Sequence, residues 1–548
     1  MPVDDQPERK QPLTTAAERL VAFLVGQGMD RAFCVPGESY IALLDALHDA
    51  PMDLVVCRHE GGAGFAAIAD AKLTGRPGVV LVSRGPGACN AAIALHTAEQ
   101  DAVPLILLIG QVEARDLRRD AFQEIDYLQM FGGFCKFVGE ATRPDQVPEL
   151  IARAYAAAMQ GVPGPVVLSL PEDVLAMACG AAAPAITPAR PALPAPAEVA
   201  RISDLLHAAE RPILLAGHGF ESEAGRAALA RFAAAWEIPV AVSFRRQDLF
   251  DNASRFYAGD LGLRNPDAQR AAFAEADLIL AFGTRLTDIT TQGYSWPAPG
   301  QRLVHLCADP KHLNWHFPAE VATTADPVSL MTVLGAPGKR PPRGEWIARL
   351  RALHVADCAV IPRDWPDGLA FAEVAQAVHA ALPADGIITL DAGTFGAPFY
   401  RKVNWRPGQR LLVPVSGAMG FGVPAAVAAA LRCPGRTVVC GVGDGGILMT
   451  GGEMAVALER RLPIKLLLSE NLGYASIRIH QEREHPGRVS GTMFANPDFA
   501  HWAQAFGLPV TRVNARDDFA AMQAAIAAPG PAAILVKTSM QAVLPHVS

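Results

Sequence analysis

Short apolar runs bounded by turn residues recur along the chain, separated by Ala-rich stretches of helical periodicity. TTAAERLVAFLVGQG reads as a helix, RAFCVP as a strand and YIALLDALHDA as a helix. DLVVCR, GVVLVSR, PLILLIG and GPVVLSLPEDV are further strand candidates. They are apolar throughout rather than alternating, which is the pattern of strands buried on both faces of a parallel sheet. This block spans 12–180. The Pro/Ala-rich stretch CGAAAPAITPARPALPAPAE follows and reads as a linker. A second block over 195–335 contains RPILLAGHG, IPVAVSF, ADLILAFGTR and RLVHLCADP, and GAPGKRPPRGEW reads as a second linker. A third block over 365–545 contains IITLDAG, RTVVCGVGDGG, PIKLLLSEN and AAILVKTSM. The pattern predicts three consecutive parallel-sheet α/β domains. Such sheets bind ligands at the carboxyl ends of their strands, so the turns after VVCGVG, LLLSEN and IITLDAG are where chemistry is expected.

At 548 residues the chain is too long for one core. It is 51% hydrophobic and 19% charged, a globular composition. Its net charge of −7, without a basic run, argues against a nucleic-acid surface. The nine cysteines are scattered and form no C-x-x-C, as reduced thiols of a cytoplasmic protein would be. The start, MPVDDQPERKQPLTT, is too polar for a signal peptide, and runs such as VPLILLIG are too short to span a bilayer.

Gly441-Val442-Gly443-Asp444-Gly445-Gly446 satisfies G-x-G-x-x-G after a strand, with Glu470 further on. Formally this is a dinucleotide fingerprint, the mark of a nucleotide-binding oxidoreductase. Asp444 contradicts that reading. Two unit charges about 4 Å apart repel by roughly 4 kcal/mol at intermediate dielectric, and the turn would set a carboxylate beside a phosphate. A divalent cation between them reverses the sign. SENLG ends the next strand and supplies Asn471. The Asp444 carboxylate, the Asn471 amide oxygen and a carbonyl near Gly473 suit one side of an octahedral Mg²⁺, with diphosphate oxygens and water on the other. Gly443, Gly445 and Gly446 let the backbone approach. The competing reading is an ordinary turn aspartate and a loop-capping asparagine. G-x-x-x-x-G-K-[ST] and G-x-S-x-G are absent, which removes P-loop and serine-hydrolase chemistry.

GDG with a downstream asparagine resembles the thiamine diphosphate motif, although Glu470 stands where the first of two asparagines is usual. The resemblance covers nearly the whole chain. The blocks follow the order pyrimidine-binding, central and diphosphate-binding, and SRGPGACNAAIALHTAEQDAVPLILLIGQV and AFQEIDY are similar to the acetolactate synthase large subunit. The resemblance implies that Glu60, in CRHEGGAG, activates the cofactor through its pyrimidine ring. It implies that Met419, in VSGAMGFG, holds the cofactor bent while Gly417 offers a carbonyl to the pyrimidine amine. Thr394, Phe395, Gly473 and Tyr474 would lie against the diphosphate end. Phe122 and Gln123 match the substrate pocket, with Gln123 catalytic.

Read without the resemblance, Glu60 is a helix-start acid contributing about 0.3–1 kcal/mol. His59-Glu60 begins no H-E-x-x-H motif, because Ala63 follows. Three features depart from the family. Glu38-Ser39 replaces small glycines, and ASIRIHQEREHPGR lacks a tryptophan and places His480 there, so Glu38, Ser39 and His480 join Phe122 and Gln123 as expected substrate residues; YAGDLGL replaces a Gly-Met-His-Gly stretch. LAGHGF and FGTRLTD, with Arg285, resemble parts of an FAD site, yet Gly217-His218-Gly219 reads first as a tight strand-to-helix turn.

The expected function is a thiamine diphosphate- and Mg²⁺-dependent carboligase. It would decarboxylate a 2-oxo acid such as pyruvate and join the remainder to a carbonyl acceptor. The alternative is a decarboxylase or C–C lyase on the same site, and a non-catalytic cofactor-binding scaffold is a third class. The resemblance also implies a homodimer or homotetramer.

Overall fold

The computed structural model describes residues 14–187, 191–338 and 341–544. The polar N-terminal start, the outer bounds 12 and 545, and parts of both expected linkers (188–190 and 339–340) lie outside the described residues. The described residues up to 187 form one compact unit and those from 191 onward another.

The first unit holds a six-stranded parallel sheet. Its strands are β1 Arg31–Cys34, β2 Asp53–Val56, β3 Gly78–Val82, β4 Leu105–Gln111, β5 Phe137–Glu140 and β6 Pro165–Pro171, in the order β2-β1-β3-β4-β6-β5. β3, β4 and β6 are buried along their whole length, as the continuous apolar runs predict. The helices Glu60–Thr74 and Pro86–Asp101 cover this sheet and pack on each other so closely that a Cβ on Gly64 would run into Ala94. That contact explains their small residues and their lack of a single apolar stripe.

The second unit holds two more six-stranded parallel sheets. One consists of β7 Pro212–Ala216, β8 Val240–Val242, β9 Tyr257–Asp260, β10 Leu278–Phe282, β11 Arg302–Leu306 and β12 Val321–Thr323, ordered β12-β11-β10-β7-β8-β9. The other consists of β13 Ile387–Leu390, β14 Arg410–Leu412, β15 Val438–Gly443, β16 Lys465–Glu470, β17 Val510–Val513 and β18 Ala532–Lys537, ordered β14-β13-β15-β16-β18-β17. The first and third sheets thus share one strand order.

In the third sheet the chain leaves β13 toward one edge and returns on its other side as β15. The crevice at their carboxyl ends is a topological switch point, where open α/β sheets take ligands. Within the stretch expected as the second linker, Arg343 is buried and donates to the carbonyls of Ala209, Trp236 and Leu206. Among the described residues no helix is long and apolar enough to cross a membrane.

Candidate active site

Three strand ends of the third sheet converge. β13 leads through Asp391 and Gly393 to Thr394 and Phe395. β15 runs without a break into the helix Asp444–Thr450, and β16 leads to Asn471, Leu472, Gly473 and Tyr474. The segment before the helix Gly422–Arg432 adds Gly417 and Met419. Thr394, Phe395, Gly417, Met419, Gly443 to Gly446, Asn471, Gly473 and Tyr474 line one cleft of about 210 Å³. Every cofactor residue expected from the third block is therefore brought to one place. A larger cavity of about 410 Å³, lined by Leu261, Phe273 and Trp296 among others, gathers none of the expected site residues.

Asp444 is 2% exposed, and the protein itself supplies its compensation. Its Oδ2 accepts from the backbone N–H of Asn471 at 2.8 Å and of Leu472 at 2.7 Å, and from Asn496 Nδ2 at 3.0 Å. Its Oδ1 accepts only from Gly445 N–H, at 3.0 Å. One oxygen is saturated by three donors, while the other keeps acceptor capacity. Asn471 Oδ1 accepts from Gly473 N–H at 3.2 Å, as a loop cap would. The turn and loop readings of the two residues thus hold, and sequence reasoning missed Asn496 altogether.

A carboxylate, a carboxamide oxygen and a main-chain carbonyl form a hard, all-oxygen donor set of the kind Mg²⁺ takes. No group of three or more His, Cys, Asp or Glu residues that could hold a metal occurs among the described residues. The glycines form a cradle. A Cβ on Gly445 would lie 2.5 Å from the Tyr474 ring, one on Gly443 would lie 3.2 Å from Phe395, and one on Gly446 would fall on Asp391 Oδ2. Glu470 stands beside this site. Burial pushes its carboxyl up, Arg512 pulls it down, and Asp444 and Asp498 raise it further.

In the first unit Glu60 opens the helix Glu60–Thr74, but it does not cap it. His59 Nδ1 accepts from Gly61 N–H at 3.0 Å and does that work. Glu60 Oε2 instead accepts from Asn90 Nδ2 at 2.9 Å, and Gly87 lies close enough that a Cβ there would touch Oε1 at 3.4 Å. Asn90 is a second partner that sequence reasoning missed.

The expected substrate residues are placed unevenly. Glu38, exposed, pairs with Arg84 at 3.4 Å, and Arg84 also pairs with Glu172 at 3.2 Å. Ser39 is fully buried, with its hydroxyl 3.1 Å from that of Ser83. Phe122 is 76% exposed, and Gln123 has a left-handed backbone with φ of 65° against Gly85. His480 is exposed on the helix Ala475–Glu484 and does not line the cleft.

In the central sheet, a Cβ on Gly217 would meet Thr284 and one on Gly219 would meet Gly283. The turns after β7 and β10 pack backbone to backbone, which accounts for both glycines. Burial pushes the imidazole of His218 between them well below its usual range, and nearby Arg246, Arg285 and His312 push it further the same way.

Sequence comparison adds independent information. Residues 14–130 match the thiamine pyrophosphate enzyme N-terminal TPP binding domain, 199–334 its central domain and 391–536 its C-terminal TPP binding domain. The chain is 31% identical over 520 residues to the acetolactate synthase isozyme 2 large subunit of Escherichia coli K12, covering 94% of each chain. It is 31% identical over 541 residues to the isozyme 1 large subunit of the same organism, covering 95% of this chain and 94% of that one. It is also 32% identical over 525 residues to a probable 2-ketoarginine decarboxylase of Pseudomonas aeruginosa, covering 93% of this chain and 92% of that one.

Proposed function

The chain belongs to the thiamine pyrophosphate (thiamine diphosphate) enzyme family, and from that premise we propose that it is a Mg²⁺-dependent carboligase of the acetolactate synthase kind. It would decarboxylate a 2-oxo acid such as pyruvate and join the remainder to a second carbonyl compound. The observation that carries this reading is the cleft at the ends of β13, β15 and β16, where Asp444 has one oxygen anchored by three donors and the other left able to coordinate.

Asp444, Asn471 and the Gly473 carbonyl would hold the magnesium ion, and the backbone from Gly443 to Gly446 would cradle the diphosphate. Thr394, Phe395 and Tyr474 wall that end of the cleft. Gly417 and Met419, which line the same cleft, would face the other half of the cofactor. When bound, the cofactor supplies an electron sink for the bond broken as CO2 leaves. Glu60, held by Asn90, would exchange a proton with the cofactor ring through its carboxylate. Gln123 and Phe122, with Glu38, Ser39 and His480, are the groups proposed to face substrate.

Leu448 and Met449 on the helix Asp444–Thr450, and Leu472, Ile477 and Met493 beyond it, are exposed apolar side chains near the cleft. Such a collar supports coverage by a second copy of the chain, and hence a homodimer or a larger homo-oligomer.

The test is incubation of the protein with carbon-13 pyruvate and Mg²⁺, with and without thiamine diphosphate, followed by NMR. Cofactor-dependent acetolactate supports the carboligase. Acetaldehyde would favour the decarboxylase reading, which the 2-ketoarginine decarboxylase relative also supports. No cofactor-dependent product from pyruvate or from a panel of 2-oxo acids would refute both.

A further inference from the structure

Met419 sits in a segment with no regular structure, between Gly417 and Gly420, whose φ values are 76° and 89°. Such a segment keeps one shape only if something outside it holds both ends. Two buried side chains do so. At the near end, the Pro414 carbonyl accepts from Gly417 N–H at 3.2 Å and from the Arg245 guanidinium. At the far end, Asp391 Oδ1 accepts from Gly420 N–H at 2.6 Å and Phe421 N–H at 3.2 Å, as well as from Ala392 N–H at 2.9 Å. Thr450 Oγ1 adds a hydrogen bond to the Gly420 carbonyl at 2.5 Å.

Arg245 comes from the turn after β8 in the central sheet, and Asp391 from the end of β13. They are 8% and 1% exposed. The Arg245 guanidinium carbon lies 4.7 Å from the Phe244 ring centre and 5.5 Å from that of Tyr400. A Cβ on Gly446 would meet both Asp391 Oδ2 and, at 3.8 Å, Met419 Cε. Asp391 therefore lies against the diphosphate turn at Gly446 and, through Gly420 and Phe421, against the end of the Met419 segment. Asp391 Oδ2, Arg245 Nε and Tyr400 Oη are buried without a hydrogen-bond partner among the described residues. Buried groups left this way are costly and call for a reason. An apolar pair would fill the same volume without that cost.

We propose that Arg245 and Asp391 are positioning residues that clamp the Met419 segment from behind, so that the shape of the pyrimidine half of the cofactor site is set by the central sheet as well as the third. The inference rests on Met419 facing the cofactor ring.

Its test uses the full chain as apoprotein, with Arg245→Met, Arg245→Lys, Asp391→Ala and Asp391→Asn. Thiamine diphosphate and inorganic pyrophosphate are each titrated by calorimetry at saturating Mg²⁺. The near-ultraviolet circular dichroism of the bound cofactor reports the state of its pyrimidine ring. Arg245→Met and Asp391→Ala should weaken thiamine diphosphate about tenfold or more and alter the dichroism; pyrophosphate should be unchanged in Arg245→Met and weakened less than thiamine diphosphate in Asp391→Ala, where the diphosphate turn at Gly446 also loses its backing. Arg245→Lys and Asp391→Asn, which keep a donor and an acceptor, should recover part of the loss and fold if the larger changes do not. Equal weakening of both ligands, or native affinity and dichroism in all four variants, would overturn the clamp. A native chain that bound pyrophosphate but not thiamine diphosphate would instead overturn the cofactor reading beneath it.

Discussion

Under the proposed function Asp444 has two jobs, and a pair of substitutions can separate them. Its four N–H partners are Gly445, Asn471, Leu472 and the Asn496 side chain. Hydrogen bonds to a charged group contribute about 1.5–3 kcal/mol each, net. Asp444→Ala strands all four donors. Even with water entering from the cleft, the apoprotein should lose on the order of 4 kcal/mol or more. Asp444→Asn can place its carboxamide oxygen where Oδ2 stands and keep three donors, turning its NH2 toward Gly445. The apoprotein should then lose only about 1–3 kcal/mol. Cation binding depends on the charge instead, and Asn removes it. Thiamine diphosphate affinity at saturating Mg²⁺ should fall at least about 10- to 150-fold, the equivalent of one lost charge-assisted contact. Urea unfolding of the apoprotein measures the first quantity and calorimetric titration the second. Equal stability losses for Ala and Asn would refute the four-donor account. Native cofactor affinity in Asp444→Asn would refute the carboxylate as the cation's ligand.

Gly445→Ala pushes a Cβ to 2.5 Å from the Tyr474 ring. Overpacking of about 1–3 kcal/mol should appear as roughly 5- to 150-fold weaker cofactor binding, and unchanged calorimetric affinity would refute the cradle. Glu60→Gln should keep cofactor binding and lose about a hundredfold or more in kcat, measured in steady state, because proton transfer typically contributes that much. His379, which shares a hydrogen bond with Gln409 Oε1 at 3.0 Å, is pulled by burial from 6.5 to about 4. Between those values the unfolded chain binds the extra proton, so this contribution is complete above pH 6.5 and is lost as pH falls toward 4. Relative to His379→Gln, the native apoprotein should lose roughly 3 kcal/mol between pH 7 and pH 4 in urea unfolding. Leu448→Lys with Ile477→Lys should shift sedimentation toward the monomer and lower activity without changing the far-ultraviolet circular dichroism; an unchanged sedimentation coefficient would sink the covered-collar reading.

Much of the fold is legible along the chain. Strands inside a parallel sheet are covered on both faces, so β1, β3, β4, β6, β7, β8, β10, β11, β13, β15, β16 and β18 appear as apolar runs between turns. The strands that sequence reading missed, β5, β9, β12, β14 and β17, all lie at or next to a sheet edge in the strand orders. β5 is only half-buried, and β9, YAGD, is short and carries Gly and Asp although it is covered. Neither has a run to read. The cleft-lining turns that carry Asp444, Asn471 and the glycines are equally legible, because they sit at strand ends, where open α/β sheets take ligands.

Tertiary structure alone decides who completes those turns. Asn496 reaches Asp444 from 52 residues away, Asn90 reaches Glu60 from 30, and Arg245 reaches Pro414 from 169. Nothing local marks such partners, since an amide or guanidinium earns its role only from what folding places opposite it. For the same reason the chain shows that Asp444 needs compensation, whereas only the folded molecule shows that backbone N–H groups supply much of it, three donors falling on one oxygen and one on the other.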